Sequence, residues 1–204
     1  MPKSIIRFKQ GLVFAITDGY KTETRRLDGE PEYNVGDIVP IAESYGAIYR
    51  TLEGEEQVAF YKRLKADLNI DQPEQHPGWD NKLYVRPSIM RYRIQFTKKR
   101  KHLLHDITDQ ECMREGIFHG PVGCHDENGN EGDYTWLNAF REKKPNGEIV
   151  AHMEYKVYTN PREAFFDLFD FAAGSHISKT NPRVTAYSFK LLPTVSYVAM
   201  PSQP

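Results

Sequence analysis

Gly19-Tyr20-Lys21-Thr22-Glu23-Thr24-Arg25-Arg26 gathers a glycine, a lysine, two threonine hydroxyls and two guanidinium groups into eight residues. A glycine takes positive φ without penalty and β-branched threonines favour extended backbone, so the stretch reads as a turn feeding a short strand. In an extended Thr22 to Arg26, the two-residue period sends Thr22, Thr24 and Arg26 to one side and Glu23 and Arg25 to the other. Lys21 stands at the mouth of that strand, with a flexible stem that swings back toward Thr24. Such a cluster suits an anion. The same residues on an edge strand would be ordinary solvated charges, so the surrounding chain has to decide.

Upstream, Ile5, Ile6 and Phe8 form a short apolar segment. Phe8, Leu12, Ala15 and Ile16 then recur at helical spacing, which predicts an amphipathic helix closed by Gly19. Downstream, Asp28 to Pro31 and Val35 to Asp37 are turns, and Ile38 to Ala42 is an apolar strand whose Pro40 points to a sheet edge or a bulge. Residues 45–81 are polar and acidic in part, with a possible strand at Val58 to Leu64 and a proline-bearing loop at Asp71 to Gly78.

From Asn81 to His105 there are eight Lys or Arg and no Asp or Glu. Within this run Met90, Tyr92, Ile94 and Phe96 alternate with Arg91, Arg93 and Gln95, the pattern of a half-buried strand with a basic outer face. Basic residues interleaved with aromatics suit a phosphate backbone and unstacked bases, although lysines also blunt edge strands against aggregation. Thr108 and Glu111 make a capping box, so a short helix begins there and ends near Gly116. Glu115 falls in its last turn, where the helix dipole disfavours a carboxylate and solvation is the default. Phe118 to Tyr134 reads as loop and Lys143 to Gly147 as a turn. Asn160-Pro161-Arg162-Glu163 starts another helix, striped by Phe165, Leu168, Phe169 and Ala172 and stopped at Gly174. Arg183 to Leu192 is a final strand with Thr185, Tyr187, Phe189 and Leu191 on one face.

At 204 residues the chain suits one buried domain. Lys plus Arg (27) and Asp plus Glu (28) nearly cancel, which excludes a global nucleic-acid field and leaves room only for a local patch. There is no apolar run of membrane-span length, and the first residues lack a signal-peptide core; a cytoplasmic protein with no membrane partner is the expectation. Cys112 and Cys124 make no disulfide framework. His119, Cys124 and His125 lack C-x-x-C or H-x-x-x-H spacing, so no metal and no cofactor are expected.

In this order, G-x-K-T-x-T-R-R, V-G-D-I-V, I-T-x-x-x-x-x-x-E-G-I, P-R-E-A-F-x-x-L-x-D and N-P-x-V-x-x-Y-x-F resemble the ASCH domain, a relative of the PUA RNA-binding fold, and in particular its longer phage-type members. The matching pieces are Gly19 to Arg26, Val35 to Val39, Asn81 to Ile117 and Pro161 to Phe189. The resemblance implies an α+β fold, a PUA-like mixed β-barrel with short flanking helices, spanning residues 1–192 with insertions at about 45–81 and 118–158 and a tail at 193–204. It implies a cleft between barrel and helices that takes RNA or a nucleoside or nucleotide ligand, with Gly19, Tyr20, Thr22, Arg25, Arg26, Arg91 and Arg93 as candidate contacts. A small bacterial member of the family is an amidohydrolase that deacetylates N4-acetylcytidine through a Lys, a Thr and a Glu; the matching positions here are Lys21, Thr24 and Glu115. Three activities follow as expectations: RNA or nucleotide binding, amide hydrolysis on such a nucleoside, and a phage-type ribonuclease. Oligomeric state is left open.

Overall fold

The computed structural model describes residues 5–125, 131–136, 138–143, 149–154, 156–194 and 196–198. The elements in chain order are α1 (Gln10–Thr17), β1 (Glu23–Leu27), β2 (Ile38–Pro40), α2 (Tyr45–Arg50), α3 (Gly54–Leu68), β3 (Arg93–Leu103), α4 (Asp109–Arg114), β4 (Phe118–His125), β5 (Glu131–Thr135), β6 (Asn138–Lys143), β7 (Ile149–Glu154), β8 (Val157–Tyr158), α5 (Pro161–Ala173) and β9 (Arg183–Leu191). The main sheet runs β1-β9-β3-β2, an antiparallel sheet curled into half a barrel, so the fold is α+β and barrel-like. Two smaller sheets, β4-β5-β8 and β6-β7, accompany it. Among the described residues no helix is long and apolar enough to cross a membrane.

The chain divides into two compact units, one of residues 1–7, 38–94 and 192–204, the other of residues 8–37 and 95–191. In the first, Tyr45, Ile48, Phe60, Leu64, Ile89 and Met90 are fully or almost fully buried and form one core with Tyr197. Here the expectation of a strand at Val58 to Leu64 is corrected: α3 covers it. Phe60, Leu64 and Leu68 recur every four residues and bury one helical face, while Val58 stays exposed. Asn69 closes the helix in the left-handed region at φ 53, its amide donating to Ala66 O. The segment from Asp71 holds short 3-10 turns rather than plain loop, at Pro73–Gln75, Pro77–Trp79, Lys82–Tyr84 and Pro87–Ile89. Tyr197, in what reads from sequence as an uninformative tail, packs edge-on against Phe60 at 4.8 Å and donates to Ile89 O at 2.8 Å. The residues of that tail from 199 onward lie outside the described residues.

The second unit is built on β1, β9 and most of β3. β1 pairs antiparallel with β9, with Thr24 opposite Tyr187 and Arg25 opposite Ala186. The face holding Tyr187 and Phe189 closes on Phe96, Tyr33 and Phe8; Tyr33 stacks on Phe96 at 4.6 Å and meets Tyr187 edge-on at 5.6 Å. Val184 and Ala186, on the opposite face, are buried as well, so β9 is covered on both sides. α5 starts and stops at the residues its sequence predicts: Asn160 accepts from Arg162 N at 2.8 Å, Pro161 takes the first position, and Gly174 caps at φ 73. Its buried stripe is Pro161, Ala164, Phe165, Leu168 and Phe169, and Ala172 is exposed. The loop expected at Phe118 to Tyr134 is corrected in part: β4 and β5 pair antiparallel there, with Phe118 opposite Thr135. Of the turn expected at Lys143 to Gly147, residues 144–147 lie outside the described residues.

Candidate active site

The strand mouth at Lys21 is fixed by backbone on two sides. Gly19 takes φ 82 after α1, Lys21 N donates to Ala15 O at 2.8 Å, and Thr22 N donates to Arg114 O at 2.8 Å. Lys21 and Glu115 form an isolated antiparallel bridge, which brings together residues 94 positions apart. On the other side of the bridge, the capping box of α4 is present as expected: Glu111 N donates to Thr108 Oγ1, and Thr108 N donates to the Glu111 carboxylate. Six residues of helix then place Glu115 at the C-cap, and Gly116 turns the chain away at φ 103. A side chain at that φ is strained, which explains glycine there.

Glu115 is not solvated, and the default for a last-turn carboxylate is corrected here. It is 4% exposed and Lys21 is 2% exposed. Lys21 Nζ donates to Glu115 Oε2 at 2.5 Å and to Glu115 O at 2.7 Å, while Arg25 Nη1 donates to Glu115 Oε1 at 2.9 Å. Two cations thus outweigh the unfavourable end of the helix dipole. Burial alone would raise the Glu115 carboxyl; the Lys21 and Arg25 charges and their hydrogen bonds overcome it and leave the group below its ordinary value of 4.5. For Lys21 the balance goes the other way: burial outweighs the attraction of Glu115, helped by repulsion from Arg26 and Arg25, and the ammonium loses its proton more readily than a free lysine.

Around this pair lies an ionic network that sequence reading did not assemble. Arg25, its side chain fully buried, also stands 3.2 Å from Glu111 Oε2 and 3.6 Å from Glu23 Oε2. Arg114 Nε donates to Glu23 Oε1 at 2.8 Å, and Arg100 donates to Glu111. Lys21, Arg25, Arg100 and Arg114 face Glu23, Glu111 and Glu115, four cations against three carboxylates. Alternation in β1 placed Glu23 beside Arg25 correctly, and the Glu of a capping box was visible; their joint use of the same arginine was not.

Lys21, Arg25 and Glu115 meet. Thr24 is buried, but it lies on the β1 face opposite Arg25 and pairs with Tyr187 in the aromatic interior. Arg26 turns to Glu30 at 3.5 Å and lies 5.4 Å from the Phe8 ring centre. Thr22 contributes its backbone, accepting from Phe189 N at 2.9 Å. Gly19 and Tyr20 lie on the exposed turn. Arg91 and Arg93 belong to the first unit, and the basic outer face expected there is corrected: β3 begins at Arg93, and Arg91 is buried against Glu43 at 3.1 Å and stacked over Tyr92. The Cys112 thiol is also buried, which pushes it up to about 12 and leaves no reactive thiolate beside the network.

A depressed carboxyl stabilises the folded state above its unfolded value and loses that contribution as pH falls through the folded one. Urea midpoints should therefore hold from about pH 7 to about pH 5 and drop as pH falls below about 4.5 in the wild type, and drop less in Glu115→Gln, which has no such group to protonate. Equal drops would remove Glu115 as the source.

Comparison of the chain with protein-family models, with curated proteins and with solved structures finds no match.

Proposed function

We propose that this protein is an amide hydrolase of ASCH type, with a PUA-like barrel, acting on an N4-acylated cytidine-type nucleoside through Lys21 and Glu115. The observation that supports it is the buried Lys21–Glu115 contact at 2.5 Å, with the lysine held below its ordinary proton affinity by burial. A lysine in that condition reaches its neutral, basic form at a lower pH than a free lysine. Neutral Lys21 Nζ takes a proton from water as the oxygen attacks the acyl carbonyl carbon. The resulting ammonium returns a proton to the amide nitrogen as the C–N bond breaks, releasing the free amine and a carboxylic acid. Glu115 stays ionised and steadies the ammonium between the two transfers. Water as nucleophile fits this chain better than Thr24, whose hydroxyl-bearing side chain belongs to the opposite strand face.

The test is chromatography of cytidine released from N4-acetylcytidine. Wild type should turn over, and Lys21→Met should lose about 10²- to 10⁴-fold in rate, the range for a positioned acid–base group. The wild-type rate should rise with pH through a value below 10.5, since the neutral lysine is the active form. Full activity in Lys21→Met would remove the lysine from the mechanism.

A second reading, RNA binding along β3, draws on the exposed Lys98 and on Arg100, which is exposed although it pairs with Glu111. Against it, Lys99 and Lys101 both close on Glu32 at 2.7 Å, and Arg91 is spent on Glu43. No turnover by folded wild type, together with RNA affinity that falls steeply with salt, would favour this reading over hydrolysis.

A further inference from the structure

Beside the Lys21–Glu115 bridge, a cavity of about 240 Å³ opens between α1, the Tyr20 turn and the start of β4. Its walls include Tyr20 and Gly116, the chain neighbours of Lys21 and Glu115, so the bridge and the cavity are built by the same two backbone segments. The volume is below the ~300–1,000 Å³ of drug-sized sites, which limits a ligand to one or two rings.

Three features define the chemistry of an occupant. Tyr20 is 60% exposed, and its ring centre stands 6.3 Å from that of Phe118, tilted by 39°. Two aromatic faces at the mouth of an apolar pocket suit a flat ring. Asp18 lines the cavity and is exposed, and no described hydrogen bond or ion pair engages its carboxylate, so it is an acceptor waiting for an N–H donor. It also caps the C-terminus of α1, an eight-residue helix whose end carries negative partial charge. Among the described residues no lysine or arginine lines the cavity. His119, also in the lining, packs edge-on against Tyr134 at 5.1 Å, so Asp18 sets the charge of the rim and phosphate is disfavoured.

We infer that this cavity binds a flat, unphosphorylated heterocycle that presents an N–H donor to Asp18 and stacks on Tyr20. The inference builds on the hydrolase reading, for which it supplies the ring-binding subsite and its selectivity, and it is tested separately from that reading.

The experiment is calorimetric titration of wild type, Tyr20→Ala and Asp18→Lys with cytidine, adenosine and cytidine 5′-monophosphate. Both substitutions fall on exposed side chains away from the buried network, so folding is retained. Wild type should bind the nucleosides more tightly than the monophosphate. Tyr20→Ala should weaken nucleoside binding by about 5- to 150-fold, the range of one base–aromatic stack. Asp18→Lys should weaken the nucleosides and strengthen the monophosphate. Monophosphate binding equal to that of cytidine in wild type, nucleoside affinity unmoved by Tyr20→Ala, or no nucleoside binding at about 1 mM would each overturn the inference. Nucleoside binding without turnover of N4-acetylcytidine keeps the pocket and removes the hydrolase. Turnover whose KM ignores both substitutions keeps the hydrolase and removes the pocket.

Discussion

Glu115→Ala is expected to destabilise the protein by about 3–5 kcal/mol, the range for removing one partner of a buried ion pair. The size follows from the geometry around one carboxylate. Its two oxygens take Lys21 Nζ at 2.5 Å and Arg25 Nη1 at 2.9 Å, and both cations are buried. Deleting the carboxylate strands them together without a counter-charge within the bridge. Arg25 keeps Glu111 and Glu23 at longer range, whereas Lys21 keeps only the Glu115 backbone oxygen among the bonds described above.

The reverse deletion is expected to cost less. In Lys21→Met the carboxylate retains Arg25, and the main losses are the hydrogen bonds to Glu115 Oε2 and O, of order 1–3 kcal/mol. Part of that is offset because a buried methionine carries no desolvation cost. Urea denaturation of the two variants checks the asymmetry. Equal losses, or a larger loss in Lys21→Met, would mean that Glu115 is not the centre of the network. The same comparison supports the activity test, because a folded Lys21→Met separates lost chemistry from lost structure.

The second large effect lies in the other unit. Phe60→Ala should cost about 3–5 kcal/mol, the lost transfer of a buried ring plus the cavity left behind. Phe60 is fully buried on α3, among the helix's own Leu64 and the residues Tyr45, Ile48 and Ile89, and its ring supports Tyr197 edge-on at 4.8 Å. With that support gone, the Tyr197 hydroxyl bond to Ile89 O should loosen, and amide exchange at Ile89 and Tyr197 should quicken. Val58→Ala is the internal control: the side chain is exposed on the same helix, and its removal should stay within about 0.5 kcal/mol. Similar effects at both positions would contradict the assignment of α3's buried face.

Much of the local structure was legible in the residues. The capping box at Thr108, the Asn160-Pro161 start and the Gly174 stop all lie where the sequence puts them, because each depends on hydrogen bonds within a few residues. The two faces of β1 follow from alternation alone. Failure came where a short apolar run admits two periods. Val58 to Leu64 suits a strand until Phe60, Leu64 and Leu68 are seen to share one buried face, and that face exists only because Tyr45, Ile89 and Tyr197 come to meet it.

For the candidate site the division is sharper. The residues alone show which charges are present, that Lys21 stands at a strand mouth and that Glu115 ends a helix. That these two meet, that they do so on the Arg25 side of β1 and not the Thr24 side, and that Arg91 pairs with Glu43 came from long-range packing. The physical reason is that caps and alternation are settled by neighbours a few residues away, whereas the partner of a buried charge, and hence its proton affinity, is set by groups the chain brings in from far along its length.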